Sequence, residues 1–423
     1  MTPTPVLTQN QVVLGIALIF AVATACQVLA PRLRVPSLVL LLPAGFVLGI
    51  FVPGANPMGI LGTAFSPVVD LVVAIILFQG GIELGKRHID KRDGRTVLDL
   101  VWFGGAITWA SAAVLAGVVI GLPFAIALLM GAIVVVSGPT VVNPLLTVVR
   151  PKTRVRNVLQ WESTLLDPIG ALAAVIVFEA IKAGQQESVG KSVAVFFAGM
   201  VAAFVISSIG LGIILVGLRF VGNSRVLGTQ LLLGTVILAA GLANLVKDDV
   251  GLLTALLMGI GVARLARHYD RDVGPVLPFF DTVVSIGIGV LFVGLSTLVT
   301  PSSVKPLILP TLVVIAVLIL VVRPGMVFLM TIGKGFSIQE RLFMGWMAPR
   351  GIVAAATAAS TSTTLIATHV EGAADLLPVT FMIIAGTVFV YGLTAVPMAR
   401  LLGLRGDAGA DADATAAPEV TKS

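Results

Sequence analysis

From about residue 11 to about residue 403 the chain is a succession of apolar runs of about 20 residues, separated by short polar loops. Each run is long enough, as a helix, to cross a hydrocarbon core of about 30 Å. The runs do not alternate apolar and polar residues as the strands of a membrane barrel do. Hydrophobic residues fill 57% of the 423 positions and charged residues 11%. A soluble domain carries about 25% charged residues. The expected fold is therefore an all-α polytopic membrane protein.

Thirteen spans are expected, at roughly 11–30, 36–52, 66–85, 98–120, 123–149, 155–181, 192–218, 226–246, 250–265, 279–299, 306–330, 338–366 and 376–403. An odd number puts the termini on opposite sides. With the N-terminus outside, all but five of the 27 Lys and Arg residues fall in inward loops and the C-terminal tail, including the clusters KRHIDKRDGR and RPKTRVR. Lys182, Lys191, Lys247 and Lys305 are left outside and Arg350 within a span. Basic loops are retained in the cytoplasm, so the expected orientation is N-out and C-in, across the plasma membrane. The net charge of +6 is accounted for by these loops, and no nucleic-acid partner is expected.

The single cysteine, Cys26, lies inside the first run and completes neither a disulfide framework nor a metal site. No Lys or Arg precedes that run, so no cleaved signal peptide is expected. Residues 407–423 are low in complexity and are expected to form a disordered cytoplasmic tail after a transmembrane domain over 1–406.

LFQG at 77–80 and LFVG at 291–294 lie 214 positions apart, and so do Gly45 and Gly259; Pro139 and Pro349 lie 210 apart. An offset of seven spans, an odd number, makes two halves of inverted topology. Inverted repeats place a transporter's site at the midplane, where interrupted helices meet. The interrupted spans here are the fifth, with Ser137-Gly138-Pro139-Thr140, and the twelfth, with Ala348-Pro349-Arg350-Gly351. Broken backbone in lipid is tolerated only where it lines protein or a water cavity.

Two carboxylates interrupt the sixth span, in WESTLLDPIGAL. An ionised acid at mid-bilayer costs about 2.5–3.5 kcal/mol on insertion scales. Asp167 is followed by Pro168, which leaves the carbonyl of Thr164 without its helical donor. With the hydroxyls of Ser163, Ser137 and Thr140, these groups form a set of hard oxygen ligands suited to a monovalent cation, with no His or Cys cluster for a transition metal. Glu162 lies five residues before Asp167, about 140° around the helix, and points to another neighbour. Arg350, the one basic residue assigned within a span, is its expected partner in a structural ion pair. Asp281, near the start of the tenth span, is a second polar candidate or an interfacial anchor. Asp70, Glu83, Asp99 and Glu179 lie nearer span ends, where they can reach water.

The order LFQGGIEL, SGPTVVNPLL, WESTLLDPIGAL and GWMAPRGIVAAA resembles the cation:proton antiporter-1 family, the sodium/proton exchangers, over nearly the whole membrane region. The resemblance implies a homodimer. Its spans 1–3 and about 7–10 would form the scaffold and interface, and spans 4–6 and 11–13 an ion-transport core with crossed, unwound fifth and twelfth spans. It also implies elevator-like alternating access, with a proton and Na⁺, K⁺ or Li⁺ competing for Asp167, and no cofactor. Glu162 and Arg350 match the family's structural pair. Leu166 and Gly138 depart from the family's usual Asn and Asp, and Gln79 stands where an acid is frequent. SGPTVV and Glu-x-x-x-x-Asp-Pro are similar to a bacterial branch. With one acid in the core site, the exchange is expected to be electroneutral.

Other classes fit less well. A proton- or sodium-coupled carrier of small organic anions would use Arg350 as a carboxylate clamp. An intramembrane hydrolase would need a buried His or Lys base beside Ser163 or Ser137. A channel would need a continuous polar pore. No enzymatic activity is expected.

Overall fold

The computed structural model describes residues 9–33, 35–86, 90–182, 189–221, 224–247, 250–268 and 277–404. The expected tail at 407–423 lies outside them. Numbered in chain order, the apolar helical segments are α1 (Gln9–Leu33), α2 (Leu38–Phe51), α3 (Phe65–Lys86), α4 (Arg92–Ile120), α5a (Phe124–Val135) and α5b (Pro139–Val149). They continue as α6 (Thr153–Lys182), α7 (Val189–Val221), α8 (Arg225–Val246), α9 (Val250–His268) and α10 (Leu277–Ser296). The last are α11 (Pro301–Met330), α12a (Ile338–Trp346), α12b (Ile352–Ala367) and α13 (Ala373–Leu401). Among the described residues, ten helices are long and apolar enough to cross a membrane, and α5a with α5b forms a further, bent pair. The chain is an all-α, multi-pass membrane protein.

Two spans are broken where glycine and proline were noted in sequence. Pro139 opens α5b at its first position, where a missing N–H is no loss, and α5b leaves α5a at a bend of 40°. Residues 347–351 separate α12a from α12b in the same way.

Glycines set the closest helix crossings, as expected in lipid, where packing rather than hydrophobicity brings helices together. A Cβ at Gly45 of α2 would stand 2.5 Å from Val293 O of α10. A Cβ at Gly259 of α9 would overlap Phe78 O of α3 and stand 3.0 Å from Gly81 Cα. Under the 214-residue offset Gly45 answers to Gly259, and Val293 to Gln79, the neighbour of Phe78. One type of crossing therefore occurs twice, with the contacted residues one position from where the offset would put them.

At the other end of the core, Arg154 of α6 joins three elements. Its guanidinium grips Asp93 of α4 (Nη2 to Oδ1, 2.7 Å), donates to the carbonyls of Lys334 and Gly335, and lies 3.8 Å from the centre of the Phe336 ring. Lys334 in turn pairs with Asp99 of α4. These contacts tie α4 and α6 to the turn between α11 and α12a.

The crossing of α3 and α9 generates a prediction. Gly259→Ala forces a methyl against backbone and is expected to cost about 1–3 kcal/mol, read as a lower melting temperature in detergent. Gly234→Ala, on α8 with nothing within 4 Å, should leave it unchanged or raised. Equal melting temperatures for the two variants would refute the close crossing.

Candidate ion-binding site

The breaks in α5 and α12 meet each other. A Cβ at Gly138 would stand 2.8 Å from Gly351 Cα, and one at Gly351 2.6 Å from Gly138 Cα. Both glycines have ordinary negative φ, −86° and −98°, so the contact and not the backbone angle demands them. Beneath it lies Asp167, 0% exposed. Its Oδ1 is 3.4 Å from the Cβ position of Gly138 and 3.6 Å from that of Gly351. Neither oxygen of Asp167 has a hydrogen-bond partner among the described residues.

Polarity around this carboxylate comes from the broken helices. Gly138 and Gly351 cap the N-terminal ends of α5b and α12b, and each such end carries about half a positive charge. Both ends therefore converge on Asp167. The two opposite ends, C-terminal and partly negative, are capped by guanidinium groups. Arg350 donates Nη1–H to Val135 O, the last residue of α5a, at 3.2 Å. Arg323 donates Nη2–H to Met347 O (3.1 Å) and Nε–H to Met344 O (3.3 Å), at the end of α12a.

Arg323 also corrects the expected ion pair. Glu162, 2% exposed, is held by Arg323 through both guanidinium nitrogens, Nη2 to Oε2 at 2.8 Å and a second bond from Nη1 to Oε1. Arg350 is not its hydrogen-bond partner. The helix carrying Arg323 continues to Met330, which buries the side chain about 10 Å inside the helix end at 1.5 Å per residue. Arg323 falls within the expected span at 306–330, although the expected charge distribution counts it with the inward loops.

The other expected ligands divide. Thr140 shares the Asp167 position: its Oγ1 is 3.1 Å from the Cβ site of Gly138 and has no hydrogen-bond partner. Ser137 is buried at the same break. Ser163 and Thr164 both donate to Gln160 O, at 3.1 and 2.7 Å, and so retain only acceptor lone pairs. The methyl of Thr164 faces Gly80 of α3, 3.6 Å from where a Cβ there would be. Pro168 sits inside α6 without ending it, and Pro349 lies in the break of α12. Asp281 accepts a hydrogen bond from Gln79 of α3.

A cavity of about 570 Å³ leads to this point between α1, α3 and α10 on one side and α5b and α6 on the other. Pro139 and Thr140 line its inner end, and Glu83 and Asp281 line it farther out. Among the described residues that line it, none is Lys or Arg. Arg350, 5% exposed, is not among them.

The sodium/hydrogen exchanger transmembrane family matches the chain over residues 16–401. The K⁺/H⁺ antiporter NhaP2 of Shewanella sp. (strain ANA-3) is 30% identical over 350 residues, covering 80% of this chain and 58% of that protein. The chain thus spans little more than half the length of that relative. A protein of Methanocaldococcus jannaschii named probable Na⁺/H⁺ antiporter 2 is 24% identical over 412 residues, 92% of this chain and 96% of its own. The solved structure of the sodium proton antiporter MjNhaP1 from Methanocaldococcus jannaschii at pH 8 superimposes with a TM-score of 0.79 at 22% identity, covering 94% of this chain and 99% of that one. It shares the fold.

Arg323→Ala or Glu162→Ala leaves the opposite charge buried and is expected to cost about 3–5 kcal/mol. Glu162→Ala combined with Arg323→Ala should cost clearly less than the sum of the two single losses in a double-mutant cycle of melting temperatures. Strict additivity of the two single losses would contradict the pairing.

Proposed function

The chain belongs to the sodium/hydrogen exchanger family, and from that membership and the Asp167 site we propose that it exchanges a monovalent cation, Na⁺ or K⁺ with Li⁺ as a further candidate, for protons across the plasma membrane. The observation that carries the reading is a fully buried carboxylate without a basic partner, placed where two broken helices cross. A proton or a monovalent cation can each neutralise it, and one excludes the other. The acceptor oxygens of Thr140, Ser137, Ser163 and Thr164, with the Thr164 carbonyl freed by Pro168, are the further ligands. The acidic cavity lining favours cations over the organic anions of the rival reading.

The direction of access follows from topology. With the N-terminus outside, the residues lining the cavity on α3, α5b, α6 and α10 all lie toward the cytoplasmic ends of their helices, and the conformation is inward-open. The paired crossings at Gly45 and Gly259 support two inverted halves. Helices α4–α6 and α11–α13 form the moving core, stiffened by the Arg154 and Arg323 contacts, and slide against a scaffold of α1–α3 and α7–α10 in an elevator-like step. The exposed apolar faces of α1 and α7 suit lipid and a second copy in a homodimer.

Proteoliposomes carrying a pH-sensitive dye test the reaction. Addition of Na⁺, K⁺ or Li⁺ should dissipate a pH gradient with at least one of them, and Asp167→Asn should abolish the response while leaving a folded protein. Near wild-type exchange by the Asn variant would overturn the assignment. Because one charge is exchanged for one, the rate should not follow an imposed membrane potential.

Orientation is tested separately. Cysteines at Lys152 and Lys247 are expected to be labelled by impermeant reagents from opposite sides, the first from the cytoplasm. Labelling of both from one side would break the thirteen-span arrangement.

A further inference from the structure

The outer part of the cavity holds oxygens that the Asp167 site leaves unused. Asp281 of α10 is exposed, while Gln79 of α3 is buried and donates its Nε2–H to Asp281 Oδ1. That bond fixes the carboxylate and leaves Asp281 Oδ2 and the Gln79 side-chain carbonyl outside it. On the opposite wall two acceptors have no hydrogen-bond partner although their residues are deeply buried: Gln160 Oε1, in a residue 6% exposed, and Thr140 Oγ1, in one 3% exposed. The Gln160 amide nitrogen is engaged, donating to Asn143 Oδ1 at 3.0 Å, so its carbonyl is the free end. All four residues line the same cavity.

Carboxylate, amide carbonyl and hydroxyl oxygens are the hard ligands that an alkali cation takes in exchange for water. Their positions are graded. Asp281 and Gln79 stand on the scaffold side, Gln160 and Thr140 on the core side, and Thr140 Oγ1 adjoins the Gly138 position that Asp167 also touches. Glu83 lines the cavity as well. An interfacial anchor needs only water around its carboxylate, whereas Asp281 is held by a buried amide and lines one cavity with two residues that carry unsatisfied acceptors.

We infer that Asp281, held in place by Gln79, is a capture site for a partly hydrated monovalent cation on the cavity side, with Gln160 Oε1 and Thr140 Oγ1 as the oxygen steps between it and Asp167. Binding at Asp281 stands on these contacts alone; its part in transport rests on the antiport reading.

Thallous ion, a heavy monovalent cation visible by anomalous scattering, tests the site without requiring transport. In crystals of Asp167→Asn soaked with Tl⁺, a peak beside Asp281 is expected, and it should vanish in Asp167→Asn/Asp281→Asn. A cavity without Tl⁺ at Asp281 overturns the inference. In oriented proteoliposomes, Asp281→Asn should raise the KM for Na⁺ or K⁺ on the cavity side relative to the opposite side by about three- to tenfold, and Asp281→Glu should restore part of it. The excess should shrink at high ionic strength set with choline chloride, because the mouth is exposed. An equal change on both sides, or none, overturns it. Tl⁺ at Asp281 in a protein that exchanges no cation would refute antiport and leave the binding site standing. Exchange with no Tl⁺ at Asp281 would do the reverse.

Discussion

The contact between Gly138 and Gly351 is the constraint on which the membrane core depends. Two helix breaks can cross with backbones in contact only if neither carries a side chain there, and each glycine excludes a Cβ on the other. The crossing in turn fixes what surrounds Asp167: two N-terminal helix ends, the hydroxyl of Thr140, and no basic residue in hydrogen-bond contact. A carboxylate at position 138, frequent in the family this sequence resembles, would have to displace Gly351. In this packing the close contact of the two breaks leaves no room for a second acid at position 138.

The two buried arginines divide the remaining electrostatic work. Each caps the carbonyl end of one broken half-helix, Arg350 on α5a and Arg323 on α12a. Only Arg323 is matched by a carboxylate, and its bidentate grip on Glu162 joins α6 to α11 and α12a. A planar guanidinium suits this role, since it satisfies two carboxylate oxygens and two carbonyls from one fixed fork. Glu162 is thereby engaged, although it lies only five residues from Asp167 on the same helix, and the turn of about 140° between them separates a structural acid from a free one.

The legible parts of this chain were those written in single residue types. Apolar runs give the helices, Gly-Pro and Pro-Arg-Gly mark the breaks, and an acid before Pro168 in an apolar run marks the site. Partner choice was not legible. Glu162 faces Arg323, 161 positions away, and nothing along the sequence distinguishes that arginine from Arg350 except its depth in a helix whose end lies farther on than the charge suggests. Gly351 was visible in the motif, but its contact with Gly138 is a property of two helices crossing. Gln160 and Gln79 carry no charge and follow no periodicity, so their places appear only when the cavity brings five helical segments to one volume.

With Glu162 neutralised by Arg323, the charge in the core that remains variable is that of Asp167. Arg350 stays a fixed positive charge bound to backbone. On the proposed reading, the core carries the same net charge whether Asp167 holds a proton or a monovalent cation, and one unit less when it holds neither. The two loaded states therefore cross the membrane field on equal terms, and the empty state is distinguished from both by an uncompensated carboxylate that would have to be carried past the apolar scaffold without a counter-ion. Desolvation of that lone charge costs several kcal/mol, which opposes movement of the unloaded core. Coupling then requires no gate beyond the carboxylate itself: one buried acid, made accessible by the break at Gly138, is enough to make transit conditional on cargo.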